Sequence, residues 1–148
     1  MRFEASTTVA ADPRTAFDLT QDYARRLTWD PFLRSATLLD GAKRAGVGVR
    51  ACCVSSGGMA METEYVSYAP PRVAAVKMTR GPAVISEFAG TWEFTGPVQG
   101  PTTITFRYHV RSRPRWLAWL LDPIVSRWFA RETRTRLAAL EAVLGRAT

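Results

Sequence analysis

Strand-like alternation runs along most of this chain and then gives way, after Arg111, to one long helical pattern. Arg2 to Val9 alternates, with Phe3, Ala5, Thr7 and Val9 on one face. Asp12-Pro13 makes a helix start, because an aspartate caps free backbone N–H groups and proline suits the first helical position. The helix carrying Ala16, Phe17 and Leu19 is short. A second helical stub, Ala24 to Leu27, is stopped by Trp29-Asp30-Pro31. Further strands are expected over Leu33–Leu39, Val47–Val54, Met61–Tyr68, Arg72–Met78, Ile85–Phe94 and Thr102–Arg111. The breaks are turn sequences: Asp40-Gly41, Ser55-Ser56-Gly57-Gly58, Ala69-Pro70-Pro71, Arg80-Gly81-Pro82, and Gly96-Pro97 through Gly100-Pro101. Connections this short favour an antiparallel meander. Ile104, Phe106, Tyr108 and Val110 alternate with polar residues, as in a sheet wet on one side, and Phe88, Trp92 and Phe94 form the matching face one strand earlier.

Arg115 to Gly145 reads as one long or kinked helix. It carries Trp116, Trp119, Leu120, Ile124, Val125, Trp128 and Phe129. At ~100° per residue, Val125, Trp128, Phe129, Leu140 and Val143 share a side, and Glu132 and Arg136 fall near its middle. A charged pair on the apolar face of a sheet-covering helix is costly if simply buried. It makes sense if that face looks into a cavity. Asp122-Pro123 repeats the cap-then-proline signal, so either the helix kinks there or a short helix ends and the main one begins. The part before Pro123 then reads as an apolar lid or packing segment.

At 148 residues the chain is expected to form one domain, 1–148, with room for a core or a core with a hole in it. The N-terminal residues hold no apolar stretch of signal-peptide length. The longest apolar run, Trp116 to Leu121, is far short of the ~20 residues that span a bilayer. A cytoplasmic location is the expectation. The net charge of +7 rests on 18 Arg and only two Lys, with no Asn, a bias that also fits a GC-rich coding background. Residues 107–148 hold nine Arg against Asp122, Glu132 and Glu141, so +6 of the charge lies there, where it could steer acidic ligands. Cys52 and Cys53 are adjacent and point to opposite faces if on a strand, which argues against a mutual disulfide or a shared metal. Two thiols suggest a reducing compartment.

The order of strand, two short helices, six strands and a long C-terminal helix resembles the START/Bet v 1-like superfamily. Within it, the chain is similar to the polyketide cyclase/dehydrase and lipid-transport group. The residues that carry this are Asp12-Pro13-Arg14-Thr15-Ala16-Phe17 after the first strand, Trp29-Asp30-Pro31, Tyr68-Ala69-Pro70-Pro71-Arg72, and Gly90-Thr91-Trp92-Glu93-Phe94. The resemblance implies an α+β helix-grip fold: a curved seven-stranded antiparallel sheet wrapped around a long C-terminal helix. It also implies an apolar cavity between them of the kind that holds polyketides, lipids or quinones.

Trp29, Tyr65, Phe88, Trp92, Phe106, Tyr108, Trp128, Glu132 and Arg136 are expected at a ligand, since tyrosine and tryptophan add a polar tip to an apolar wall. If the protein is an enzyme of polyketide cyclase/dehydratase type, Arg136 with Tyr65 or Tyr108 would polarise a carbonyl. Glu132 would carry a proton, its pKa raised by burial. The alternative for Glu132 and Arg136, four residues apart, is a salt bridge with each other. His109 is the one histidine and falls on the outer face with Arg107 and Arg111, which leaves a histidine-based triad without its base. One histidine and two adjacent cysteines do not make a zinc site, and no phosphate-binding loop is present, so neither metal nor nucleotide cofactor is expected. The balance favours a carrier of a hydrophobic small molecule, monomeric or homodimeric. The Arg/Trp mixture from Arg113 to Trp128 also suits transient contact with a membrane surface, and its placement argues against nucleic acid.

Overall fold

A computed structural model describes residues 1–146. Its elements are β1 (Arg2–Val9), α1 (Pro13–Gln21), α2 (Arg26–Trp29), β2 (Leu33–Leu38), β3 (Arg50–Ser55), β4 (Ala60–Ala69), β5 (Val73–Arg80), β6 (Ile85–Thr95), β7 (Thr102–Ser112) and α3 (Ala118–Leu144), with a 3₁₀ turn at Arg115–Leu117. The strands form one antiparallel sheet in the order β1-β7-β6-β5-β4-β3-β2. The sheet curves around α3, so the helix-grip expectation holds in strand number, in direction and in the order of elements along the chain.

The alternation in β7 places Ile104, Phe106, Tyr108 and Val110 inside and Arg107 out. Opposite them on β6, Trp92 pairs in register with Phe106 and Phe94 with Ile104. Gly90 eases this packing: a Cβ at this position would stand 3.0 Å from the Phe106 ring, which would have to shift by a few tenths of an ångström to admit it. Asp12 caps α1 as expected, its Oδ1 accepting the Thr15 N–H at 2.7 Å with Pro13 in the first turn. The far end of α3 is pinned to the sheet's edge. There the Ala10 N–H donates to Gly145 O at 2.9 Å and the Thr7 hydroxyl to Glu141 Oε2 at 3.0 Å.

Three expectations need correction. β3 begins at Arg50 rather than Val47, because Gly48 takes the left-handed region (φ +84°) and leaves Val47 in solvent. α3 runs through Pro123 without ending, and Asp122 is not a cap. Its Oδ1 instead accepts the Ser112 N–H at 2.7 Å, tying the first turns of the helix to the end of β7. The buried side of α3 is Ser126, Phe129, Ala130, Thr133, Leu137 and Leu140, rotated by roughly a quarter-turn from the face the tryptophans suggest. Small residues on that side let the helix lie close to the sheet. Trp116 (77% exposed) and Trp119 (74%) look outward, while Leu117, Leu121 and Asp122 of the same segment are half-buried, so only its other side packs. Among the described residues no helix is long and apolar enough to cross a membrane.

Candidate ligand cavity

Between the sheet and α3 lies a narrow cavity of about 100 Å³ that opens to solvent at one end. The sheet contributes Leu33, Met61, Thr63, Tyr65, Val76, Phe88, Trp92 and Phe106, and α3 contributes Phe129 and Arg136. The first helices and the chain around them supply Gln21, Tyr23, Arg26 and Phe32. Met61, Thr63 and Tyr65 face inward, so Glu62 and Glu64 face out. A register shift between Tyr65 and Ser67 then brings Tyr68 inward as well, which is why the phase of this strand is ambiguous in sequence. Cys53 lines the cavity and its neighbour Cys52 does not; both thiols are free. A wider cleft between the first helices and the β2–β3 connection shares Gln21 and Tyr23 with the cavity wall.

One end of the cavity is charged. Asp30, its side chain fully buried, receives Arg26 Nε at 2.9 Å and Arg136 Nε and Nη2 at 3.1 and 3.0 Å, all on Oδ2. Its Oδ1 accepts the Phe32 N–H at 3.0 Å. Arg26 Nη1 reaches the Thr20 carbonyl at 3.0 Å. Burial works against the Asp30 charge, but Arg136 and Arg26 outweigh it and hold the carboxyl below its ordinary value. Burial likewise works against Arg26, where Asp30 more than offsets it. For Arg136, burial and the neighbouring Arg26 win, and its pKa is lowered. The guanidiniums lie against rings: Arg26 over Trp29 at 5.1 Å, and Arg136 over Phe32 and Trp92 at 5.4 and 5.5 Å. Beside them Tyr65 donates to Gln21 Oε1 at 2.7 Å, and burial pushes the Tyr65 and Tyr23 hydroxyls and the Cys53 thiol above their ordinary pKa values.

The sequence-derived candidates divide on this geometry. Tyr65, Phe88, Trp92, Phe106 and Arg136 line the cavity. Trp29 is buried core under Arg26, and Tyr108 is buried with its hydroxyl given to Ser126 O at 2.7 Å; neither reaches the cavity. Trp128 stacks edge-on against Phe32 from the outside. Glu132 is half-buried on the flank of α3 and has no ion-pair partner among the described residues, since Arg136 turns inward to Asp30. Arg26, Asp30, Gln21 and Tyr23 are absent from the sequence-derived set. Arg26 and Asp30 are four apart, an ion-pair spacing that does not by itself tell a buried pair from a solvated one such as Arg14–Asp18. His109 sits on the outer face with Arg107 and Arg111, as expected.

A curved antiparallel sheet closed on an aromatic cavity by a long helix defines the Bet v 1-like class of helix-grip proteins. The chain belongs to the family described as polyketide cyclase/dehydrase and lipid transport, matched over residues 1–145. Several solved structures share the fold. The Zhui aromatase/cyclase from Streptomyces sp. R1128 is 15% identical with a TM-score of 0.77, covering 97% of this chain and 93% of that one. The protein TTHA0849 from Thermus thermophilus is 16% identical with a TM-score of 0.78, covering 96% and 95%. Ara h 8.0201 is 12% identical with a TM-score of 0.72, covering 97% of each chain. Identities this low establish the fold alone. No curated protein matches the chain in sequence.

Proposed function

We propose that the protein binds a hydrophobic small molecule between its sheet and α3 and acts as a carrier. The observation that supports this is the cavity wall: aliphatic and aromatic side chains from five strands and α3 surround one charged end, the composition of a pocket that holds an apolar body and orients one polar group. Native mass spectrometry of the purified protein tests it. A co-purifying or added polyketide-, lipid- or quinone-like ligand should be retained, and replacement of Phe106 by Trp, which crowds the cavity, should weaken retention. Failure to retain any such molecule overturns the reading.

A second reading, a cyclase or dehydratase acting in the same cavity, is supported by family membership and by the likeness to the Zhui aromatase/cyclase. Arg136 lines the cavity with N–H groups that could hold a carbonyl oxygen as it gains negative charge, and the Tyr65 O–H would join it on exchanging Gln21 Oε1 for the substrate. Turnover of a polyketide-like substrate that falls at least about a hundredfold in Arg136→Ala would establish this reading. Binding without turnover leaves the carrier.

A further inference from the structure

The cavity holds two guanidiniums against one carboxylate. Arg26 and Arg136 both line it, each largely withdrawn from water, and Asp30, bonded to both, balances only one of their two charges. The remaining titratable neighbours are Tyr23, Tyr65 and Cys53, whose acidic groups burial keeps neutral, so none supplies a second negative charge. Glu62 on the adjoining strand turns outward to Arg50. The stacked rings offset part of a desolvated cation's cost, but they leave the net charge at one positive. Donors also remain spare. Arg136 Nη1 and Arg26 Nη2 have no protein acceptor among the described residues, although their sister nitrogens are bonded.

We infer that the ligand is an anionic amphiphile, its carboxylate or comparable oxyanion seated on Arg136 and Arg26 and its apolar body lying along Phe88, Trp92 and Phe106. This rests on the cavity being a ligand site and names the chemistry that site selects. The head shares the two guanidiniums with Asp30 and brings the buried charges to balance. Matched probes test it by calorimetry: decanoate against decanol for a flexible body, and naphthoate against naphthol for a flat one. The carboxylate of at least one pair should bind about tenfold or more tighter than its neutral counterpart at pH 7. Arg136→Met should erase that preference while still binding the alcohol, and Arg26→Met serves if the first variant does not fold. Equal affinity within both pairs overturns the inference and leaves the hydrophobic cavity standing. No binding by any probe overturns both.

The outer stripe of α3 carries a second inference independently. Leu120, Ile124, Arg127, Trp128 and Arg131 follow helical spacing and are exposed, with Trp116 and Trp119 beside them. Arg113 and Arg115 extend the positive charge, and Asp122 turns away to the Ser112 N–H. Large aromatics ringed by arginine match an anionic bilayer surface, where the rings enter the headgroup layer and the guanidiniums meet lipid phosphates. The geometry points to docking on anionic membrane. Flotation with phosphatidylglycerol-containing vesicles should recover the protein, with about tenfold less recovered from phosphatidylcholine alone or after Trp116→Ser with Trp119→Ser. Absence of vesicle binding overturns this proposal, as does a homodimer dispersed by the same substitutions, which would make a second copy the occupant.

Discussion

Two arginine clusters on opposite faces of the sheet invert each other. On the outer face Arg107 stands between Glu4 and Glu93, one cation shared by two carboxylates, all part-exposed. On the inner side Asp30 stands between Arg26 and Arg136, one carboxylate shared by two cations, all withdrawn from water. The outer surplus of negative charge costs little because water and salt screen it. The inner surplus of positive charge is not screened. The difference separates an ion pair that trims a surface from one that shapes a binding site.

The sharpest break in that comparison is Asp30→Ala, which leaves two buried guanidiniums facing each other. Loss of about 3–5 kcal/mol in chemical denaturation is expected, the range for an orphaned buried charge. A loss below about 1 kcal/mol would place Asp30 in the same class as the surface pairs.

Acid should act through the same residue. Asp30 has its pKa lowered in the folded state, so the unfolded chain takes up the proton first. The stabilisation is therefore complete above the unfolded value of about 3.9 and is lost as pH falls through the folded one. Urea titrations across that window should show a steeper acid loss for the wild type than for Asp30→Asn. Equal slopes would mean that Asp30 is not held ionised by its arginines.

The comparison also explains what the sequence reveals. The outer pairs are legible from strand alternation, which assigns Arg107, Glu93 and His109 to the wet face and Phe88, Trp92 and Phe106 to the dry one. The register shift after Tyr65 blurs the alternation that would place Tyr65, whereas Arg136 is legible from helical periodicity. The inner cluster is not, because Asp30 and Arg136 meet 106 residues apart and nothing local distinguishes a buried Arg26–Asp30 spacing from a solvated one. Glu132 is misplaced for a related reason. Aromatic weight on the helix wheel pulls the inferred face toward Trp128, whereas close packing on the sheet selects Ser126, Ala130 and Thr133. Asp122-Pro123 reads as a helix start from its residue types alone, and only the Ser112 N–H beside it reveals its use.

A smaller effect is expected on the outer face. Arg107→Ala removes the shared partner of Glu4 and Glu93 at once, yet the stability change should stay within about 1 kcal/mol and shrink further in high salt. A larger, salt-insensitive loss would make the outer cluster the equal of the inner one.

The least effect should come from His109, next to these pairs. Partial burial, with the N-terminal amine and Arg2 nearby, lowers its pKa. The folded state therefore favours the neutral ring, and the unfolded chain binds a proton first as pH falls below about 6.5. Stability should decline slightly through that interval and then level off once the folded ring is also protonated. His109→Gln should remove this shallow step without touching the acid loss governed by Asp30. If the step persists in the variant, the titrating group lies elsewhere, and the outer face contributes to pH response only through its carboxylates.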